Sequence, residues 1–362
     1  MTVRFLRKKI RRKALDPFGK IEYNTSPVPV LSAGIGEKET GEKMKTVFFI
    51  GMIVSFALSA VLCPLFIPVL RKLKFGQQVR EEGNPEHLKK QGTPTMGGIA
   101  FLIAVIVTGG GFSFLYPEML PTLILTIGFG VIGFIDDYIK VVRKHSEGFK
   151  PWQKLLCQIL LTGGFAVYCY LNPAIGSSVI IPFTGGKEWN MGWLYIPFVF
   201  VCVLGTDNGT NFTDGLDGLC STVTIVVAMF FFLAAIHFEH AGMSMLSGIF
   251  MGALMGFLLV NAYPAKMFMG DTGSLAIGGF VAGTALQLRM GWFIILVGLI
   301  YVVEVLSVIL QVGYFKLTHG KRIFKMAPIH HHFELSGFSE TQIVALFAIV
   351  TVILGFVSWV AM

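Results

Sequence analysis

The chain is a succession of apolar runs, each close to the roughly 20 residues that a helix needs to cross a bilayer, and they continue to its C-terminus. Lipid offers no partner to backbone N–H and C=O groups, so such runs close their hydrogen bonds internally as α-helices. Ten spans are expected, at about 46–70, 97–115, 119–135, 155–172, 192–206, 218–238, 244–261, 274–288, 291–315 and 341–361. The fifth and eighth are short and Gly-rich or polar at their ends. Of the 362 residues only 14% are charged, against about 25% in a soluble domain, and mean hydropathy is +0.71. The expected fold is an all-α integral membrane protein with no sizeable soluble domain.

Residues 1–43 stand apart. They hold ten Lys/Arg against five Asp/Glu, read "RFLRKKIRRK" and then "NTSPVPVLSAGIGEKETGEK", and have nothing to bury. They lack the apolar run and small-residue cleavage site of a signal peptide. They read as a basic, disordered extension ahead of a polytopic domain over 44–362. The five cysteines (Cys63, Cys157, Cys169, Cys202, Cys220) lie in or beside apolar runs without CxxC or Cys/His spacing, which argues against a disulfide framework and a zinc site.

Lys and Arg sort the connections into two sides. Loops 71–96, 136–154, 205–217, 262–273 and 316–340 hold sixteen, and the opposite set holds only Lys187 and Arg289. The rich side is cytoplasmic by the positive-inside rule, and an even number of spans leaves both termini outside. The basic tail pulls the other way, but sixteen against two over the body of the chain is the stronger signal. Apart from Asp16, every aspartate (Asp136, Asp137, Asp207, Asp214, Asp217, Asp271) falls in these loops or at their edges, as do His330, His331 and His332. That sorting points to one polar site at the inner membrane surface.

Within "GFIDDYIK", adjacent helical residues point about 100° apart, so Asp136 and Asp137 serve one small ligand together only if the helix ends there. Lys140 stands at ion-pair spacing from both, and a charged helix end is the plain alternative. "NGTNFTDGLDGL" (208–219) sets Asn, Thr, Asp and Gly between apolar runs; if its second half is helical, Asp214 and Asp217 share a face. Such hard oxygen donors suit Mg²⁺, which binds through one or two carboxylates plus substrate phosphate. "NAYPAKMFMGDTGSL" (261–275) ends one helix at Pro264 and opens the next through a turn holding Asp271. In "KRIFKMAPIHHHFE" (321–334), an extended segment points His330 and His332 one way and His331 the other. Zinc is thus a minor reading beside phosphate binding and proton handling. "HLKKQGTPTMGG" (87–98) adds Lys89, Lys90, Thr93 and Thr95. Together these residues suit phosphoryl chemistry between a soluble substrate and a membrane-borne one, where positioning and charge neutralisation are most of the catalysis.

The stretches "TPTMGG", "GFIDDYIK", "NFTDGLDGL", "PAKMFMGDTGSL", "EVLSVILQ" and "KRIFKMAPIHHHFE" run in order through residues 46–362. On them the chain resembles the polyprenyl-phosphate N-acetylhexosamine-1-phosphate transferase superfamily, in its phospho-N-acetylmuramoyl-pentapeptide-transferase branch. The resemblance implies ten transmembrane helices with a cytoplasmic active site in the bacterial plasma membrane. It implies transfer of phospho-MurNAc-pentapeptide from UDP-MurNAc-pentapeptide to undecaprenyl phosphate with Mg²⁺, giving lipid I and UMP, by a homodimer bathed in membrane lipid with no nucleic-acid partner. Carried over by motif, Asp136, Asp137, Asp271 and His330 are the catalytic set, with Asp136 the base or nucleophile and Asp271, Asp136 and Asp217 the metal ligands. Lys89, Thr95, Lys140, Lys154, Asn208, Asn211, Asp214, Asp217, Asn261, Gln311, His331 and His332 match substrate-binding positions. Direct in-line transfer and an aspartyl-phosphate route are both open. Superfamily members that use UDP-GlcNAc usually interrupt the His run, whereas "APIHHHFE" matches the muramoyl-pentapeptide branch. A transporter would carry mid-span charge, for which Glu304 is the clear instance. Asp207 and residues 1–43 lie outside the resemblance.

Overall fold

A computed structural model describes residues 37–73, 90, 92–143 and 148–362. Lys89 and residues 1–36 of the extension expected to be disordered over 1–43 lie outside the described residues, whereas residues 37–43 are helical and open α1, a correction to that expectation. The chain divides into Met1–Lys43 and Met44–Met362, and the elements that build the site lie in the second unit. The helices are α1 (Glu37–Lys72), α2 (Gly98–Phe112), α3 (Leu120–Arg143), α4 (Pro151–Leu171), α5 (Tyr195–Thr213), α6 (Leu219–His237), α7 (Ala241–Asn261), α8 (Gly270–Gln287), α9 (Phe293–Val297), α10 (Leu299–Leu317), α11 (Ile329–Glu334) and α12 (Glu340–Val360). A hairpin of β1 (Ser178–Ile180) and β2 (Glu188–Asn190) is the sheet structure among the described residues, with Val179 opposite Trp189.

Among the described residues seven helices are long and apolar enough to cross a membrane, and α2 is apolar but shorter. The protein is thus a multi-pass, all-α membrane protein. Helices α5 and α8 fall outside that set, and α8 has a physical reason to. Every residue from Thr272 to Gln287 is buried among neighbouring helices, so this helix meets protein and can be built from Gly, Ala, Ser and Thr. At the other extreme, the apolar windows of α1 and α12 are only 22% buried and present their side chains to lipid.

Helix α3 packs along α8 more extensively than any other pair of elements. Small residues make the approach possible: a Cβ at Gly133 would collide with the backbone of Asp271, and one at Gly279 would press on Leu125 and Phe129. This contact lays Asp136 and Asp137 beside the N-terminus of α8. The far end of α8 meets the hairpin, where Arg289 C=O accepts the Ile180 N–H and the Arg289 guanidinium pairs with Glu188. Sixteen helical residues, about 24 Å of rise, run from Asp271 to that end.

Four local expectations are corrected. Helix α3 runs on to Arg143, so Asp136 and Asp137 lie inside a helix, because "DDYIKVVR" contains neither Gly nor Pro to stop it. Helix α5 runs through Asn208 and Asn211 to Thr213, and the segment from Asp214 to Gly218 is the turn that follows. Asp214 and Asp217 therefore do not share a helical face. The span expected at 291–315 is divided at Gly298 between α9 and α10. The His run is not extended but forms α11 behind Pro328, a residue suited to a helix start.

Candidate active site

Asp271 stands in the first turn of α8, and its carboxylate is the hub of the site. Its Oδ2 accepts from Lys140 Nζ and Lys154 Nζ, each at 2.9 Å. The same two ammoniums reach Asp136 Oδ2, at 3.0 Å and 3.4 Å. Asp271 Oδ1 accepts from Asn211 Nδ2 at 2.9 Å, and that amide also donates to Ser274 Oγ at 3.0 Å. Asp136 Oδ1 accepts the Phe149 N–H at 2.7 Å, tying the α3–α4 connection to the site. Two carboxylates and two ammoniums thus form one neutral cluster contributed by α3, α4 and α8.

Asp137 plays a different part from its neighbour. Its Oδ2 accepts from the Thr272 N–H at 2.9 Å and the Thr272 hydroxyl at 2.7 Å, and its Oδ1 accepts the Asp271 N–H at 3.2 Å. These backbone groups are among the four at a helix start that have no intrahelical partner, and Met269 at the N-cap offers no side-chain cap. Asp137 therefore caps α8 from another helix, rather than facing a lysine. Gly270 closes the same corner: its φ is +74°, and a Cβ there would press on Asp137 Oδ2 and Thr95 Oγ1. Thr95 belongs to a strip stitched to the residues just ahead of α8 by the bonds Gly97 N–H to Phe268 C=O and Gly98 N–H to Met269 C=O.

Asp214, in the turn after α5, is half-buried. Burial and then the nearby carboxylates of Asp271 and Asp137 raise its pKa well above the usual carboxylate range, while the Gly270 N–H works against the rise. His330 on α11 is buried, with Nδ1 3.1 Å from both Glu304 oxygens and its ring against Gly215 of the same turn. His331 pairs with Glu334 at 2.6 Å, and His332 Nδ1 accepts the Lys325 N–H.

Several expected site residues hold the scaffold instead. Asp217 is drawn away from the Asp136–Asp271 pair: its Oδ1 accepts from Lys90 Nζ at 2.7 Å and its Oδ2 from the Ala265 N–H at 2.8 Å. It is not gathered as a third metal ligand. Asn261 accepts from Ser221 and donates to Met267 C=O. Gln311 grips the Phe324 backbone on both sides, and Asn208 donates to Leu204 C=O within its own helix. Asp207 is fully buried against Gln158. Conversely, Glu340 at the start of α12, which completes the Lys90–Asp217 cluster at 2.6 Å, carries no motif in the sequence. Its only signal is an acid after Ser339, a common helix start.

Among the described residues no three His, Cys, Asp or Glu side chains converge as a metal cage. The Asp136–Asp271 pair fits a less demanding mode. Its two oxygens already share cations, and Mg²⁺ commonly takes one or two carboxylates with substrate phosphates filling the rest.

Helical spans with acids and lysines gathered at one end of α8 describe a membrane protein with a charged site at a helix end. A family model described as glycosyl transferase family 4 matches residues 119–289. Residues 90–102 match phospho-N-acetylmuramoyl-pentapeptide-transferase signature 1. The phospho-N-acetylmuramoyl-pentapeptide-transferase of Clostridium novyi (strain NT) is 48% identical over 316 residues, 86% of this chain and 96% of that one. Those of Clostridium botulinum (strain Eklund 17B / Type B) and Acetivibrio thermocellus are 50% and 49% identical over 86% of this chain, covering 95% and 94% of their own lengths. The chain belongs to the phospho-N-acetylmuramoyl-pentapeptide-transferase family, and so to the phosphosugar transferases.

Proposed function

We propose that residues 44–362 transfer phospho-MurNAc-pentapeptide from UDP-MurNAc-pentapeptide to undecaprenyl phosphate, forming lipid I and UMP. The site faces the cytoplasm of a bacterial plasma membrane, in keeping with the sixteen-to-two excess of Lys and Arg on that side, and the working unit is a homodimer. The observation that carries the reading is the cation-sharing pair Asp136 and Asp271, whose oxygens converge on Lys140 and Lys154.

Asp271 and Asp136 would hold Mg²⁺, which when bound supplies charge neutralisation on the diphosphate. Lys140 and Lys154, poised between the acids, turn to phosphate oxygens and stabilise charge that builds up in the transition state. Asp136 orients the lipid phosphate and takes its proton, so that an oxygen of that phosphate attacks the β-phosphorus in line. The bond to the UMP oxygen breaks and UMP leaves with the electron pair. Asn211 holds Asp271 in register, Asp137 fixes the helix start beneath it, and Asp214, Thr95 and His330 line the nucleotide side.

The test is release of UMP from UDP-MurNAc-pentapeptide, expected to require both undecaprenyl phosphate and Mg²⁺. Equal turnover of UDP-GlcNAc would overturn the donor assignment. Activity that survives both Asp271→Ala and Asp136→Ala would overturn the site.

A further inference from the structure

Glu304 is an ionisable side chain in the interior of α10 with no exposure at all, and such groups at that depth are costly unless a partner compensates them. Its partner is His330, one of whose ring nitrogens, Nδ1, sits 3.1 Å from each carboxylate oxygen. The other nitrogen, Nε2, is buried and has no hydrogen-bond partner. It is aimed at Gly215, where a Cβ would collide with it, in the turn that also carries Asp214. An orphaned polar atom of this kind is costly, and it calls for a functional explanation.

We propose that Glu304 is a positioning residue for the transfer reaction: it holds the proton of His330 on Nδ1 and so presents Nε2 to the Asp214–Gly218 turn as a bare acceptor. A carboxylate can only accept from a neutral imidazole, so the Nδ1–H tautomer follows from the pairing. The absence of a side chain at Gly215 is what lets the ring come this close to the turn. The inference rests on the reading that His330 works in the transfer site, and it adds a second layer to that reading.

The imidazole nitrogen resonances of His330 in the detergent-solubilised, full-length protein, assigned by their loss in His330→Gln, decide the tautomer. A proton on Nδ1 and none on Nε2 is expected; a proton on Nε2 overturns the proposal, and this measurement on the unsubstituted protein needs no variant to fold. Glu304→Met, of similar length, removes the acceptor opposite Nδ1 and is expected to let the proton move to Nε2. Its kcat for UMP release should fall by about 10- to 100-fold, the scale on which loss of an imidazole-orienting partner acts, with KM for the nucleotide sugar within twofold. Glu304→Asp, which keeps an acceptor, should retain the Nδ1–H tautomer and most of the activity. A Glu304→Met enzyme with wild-type kcat overturns the positioning role. Wild-type activity in His330→Gln instead overturns the placement of His330 in the site, which is a separate result.

Discussion

Asp137 caps α8: one carboxylate on α3 accepts the backbone N–H of Asp271 at 3.2 Å and that of Thr272 at 2.9 Å. The helix whose first turn bears Asp271 thus has its open end closed by the residue next to Asp136. Two adjacent acids that point to different sides of α3 divide the work, one meeting the lysines and the other fixing the helix that presents the opposing carboxylate. A negative charge at a helix N-terminus is favourable in itself, which makes aspartate the natural choice for the cap.

Asp137→Asn keeps one acceptor oxygen and turns the other position into a donor facing backbone N–H groups. Loss of a helix cap costs about 0.5–2 kcal/mol, so the apparent Tm should fall by a few degrees and UMP release should fall with it. Asp136→Asn should abolish UMP release with a smaller change in Tm. Equal Tm losses in the two variants would contradict the capping role.

Lys140 and Lys154 donate to the same oxygen of Asp271, so neither acts independently. Each Lys→Gln change alone should lower kcat/KM by about 10²–10³-fold, the range for loss of one electrostatic stabiliser. In a double-mutant cycle the pair should depart from additivity by about 0.5–3 kcal/mol. Strict additivity in UMP release would mean that the two ammoniums serve separate groups.

Removing divalent cations with a chelator should stop UMP release, and Mg²⁺ should restore it. Asp271→Asn should resist rescue at any Mg²⁺ concentration, while Asp217→Asn should keep the Mg²⁺ dependence of the unsubstituted protein. A shifted Mg²⁺ requirement in Asp217→Asn would return that residue to the metal site.

Lys90 bridges Asp217 and Glu340 at 2.7 Å and 2.6 Å. Lys90→Ala leaves two buried carboxylates facing each other without a cation, whereas Glu340→Ala leaves an intact Lys90–Asp217 pair. Breaking a buried pair costs about 3–5 kcal/mol, so Lys90→Ala should lower Tm more than Glu340→Ala, and the double variant should recover part of the loss. Burial lowers the pKa of Lys90, but the bonds to Asp217 and Glu340 outweigh it and raise the pKa above 10.5. A raised lysine stabilises the fold fully below the unfolded value and loses that contribution as pH rises through the folded one. The Tm gap between the unsubstituted protein and Lys90→Met should therefore persist up to pH 10.5 and close only above it.

The helices of the fold were legible because lipid leaves a chain few alternatives to long apolar runs. The acidic end was legible because aspartates are scarce here and sort with the lysine-rich loops. What escaped was the direction of individual side chains. That Asp137 meets Thr272 and Asp136 meets Lys154 depends on the register of α3 against α8 and α4, a long-range relation with no local signature. Asp217 looked like a ligand because it sits three residues after Asp214, yet the turn at 214–218 swings it toward Lys90. Glu340 was invisible for the converse reason: an acid in a first turn usually does no more than favour its own helix.

Gly133 lies one turn before Asp136 and Asp137, and its Cα rests against the backbone of Asp271. The spacing of Asp136 and Asp271 is therefore governed by the closest approach of two main chains, where repulsion climbs too steeply to yield. Flexible side chains would let that spacing drift with temperature or lipid composition. Here the softest interactions in the protein, its ion pairs, are mounted on the stiffest.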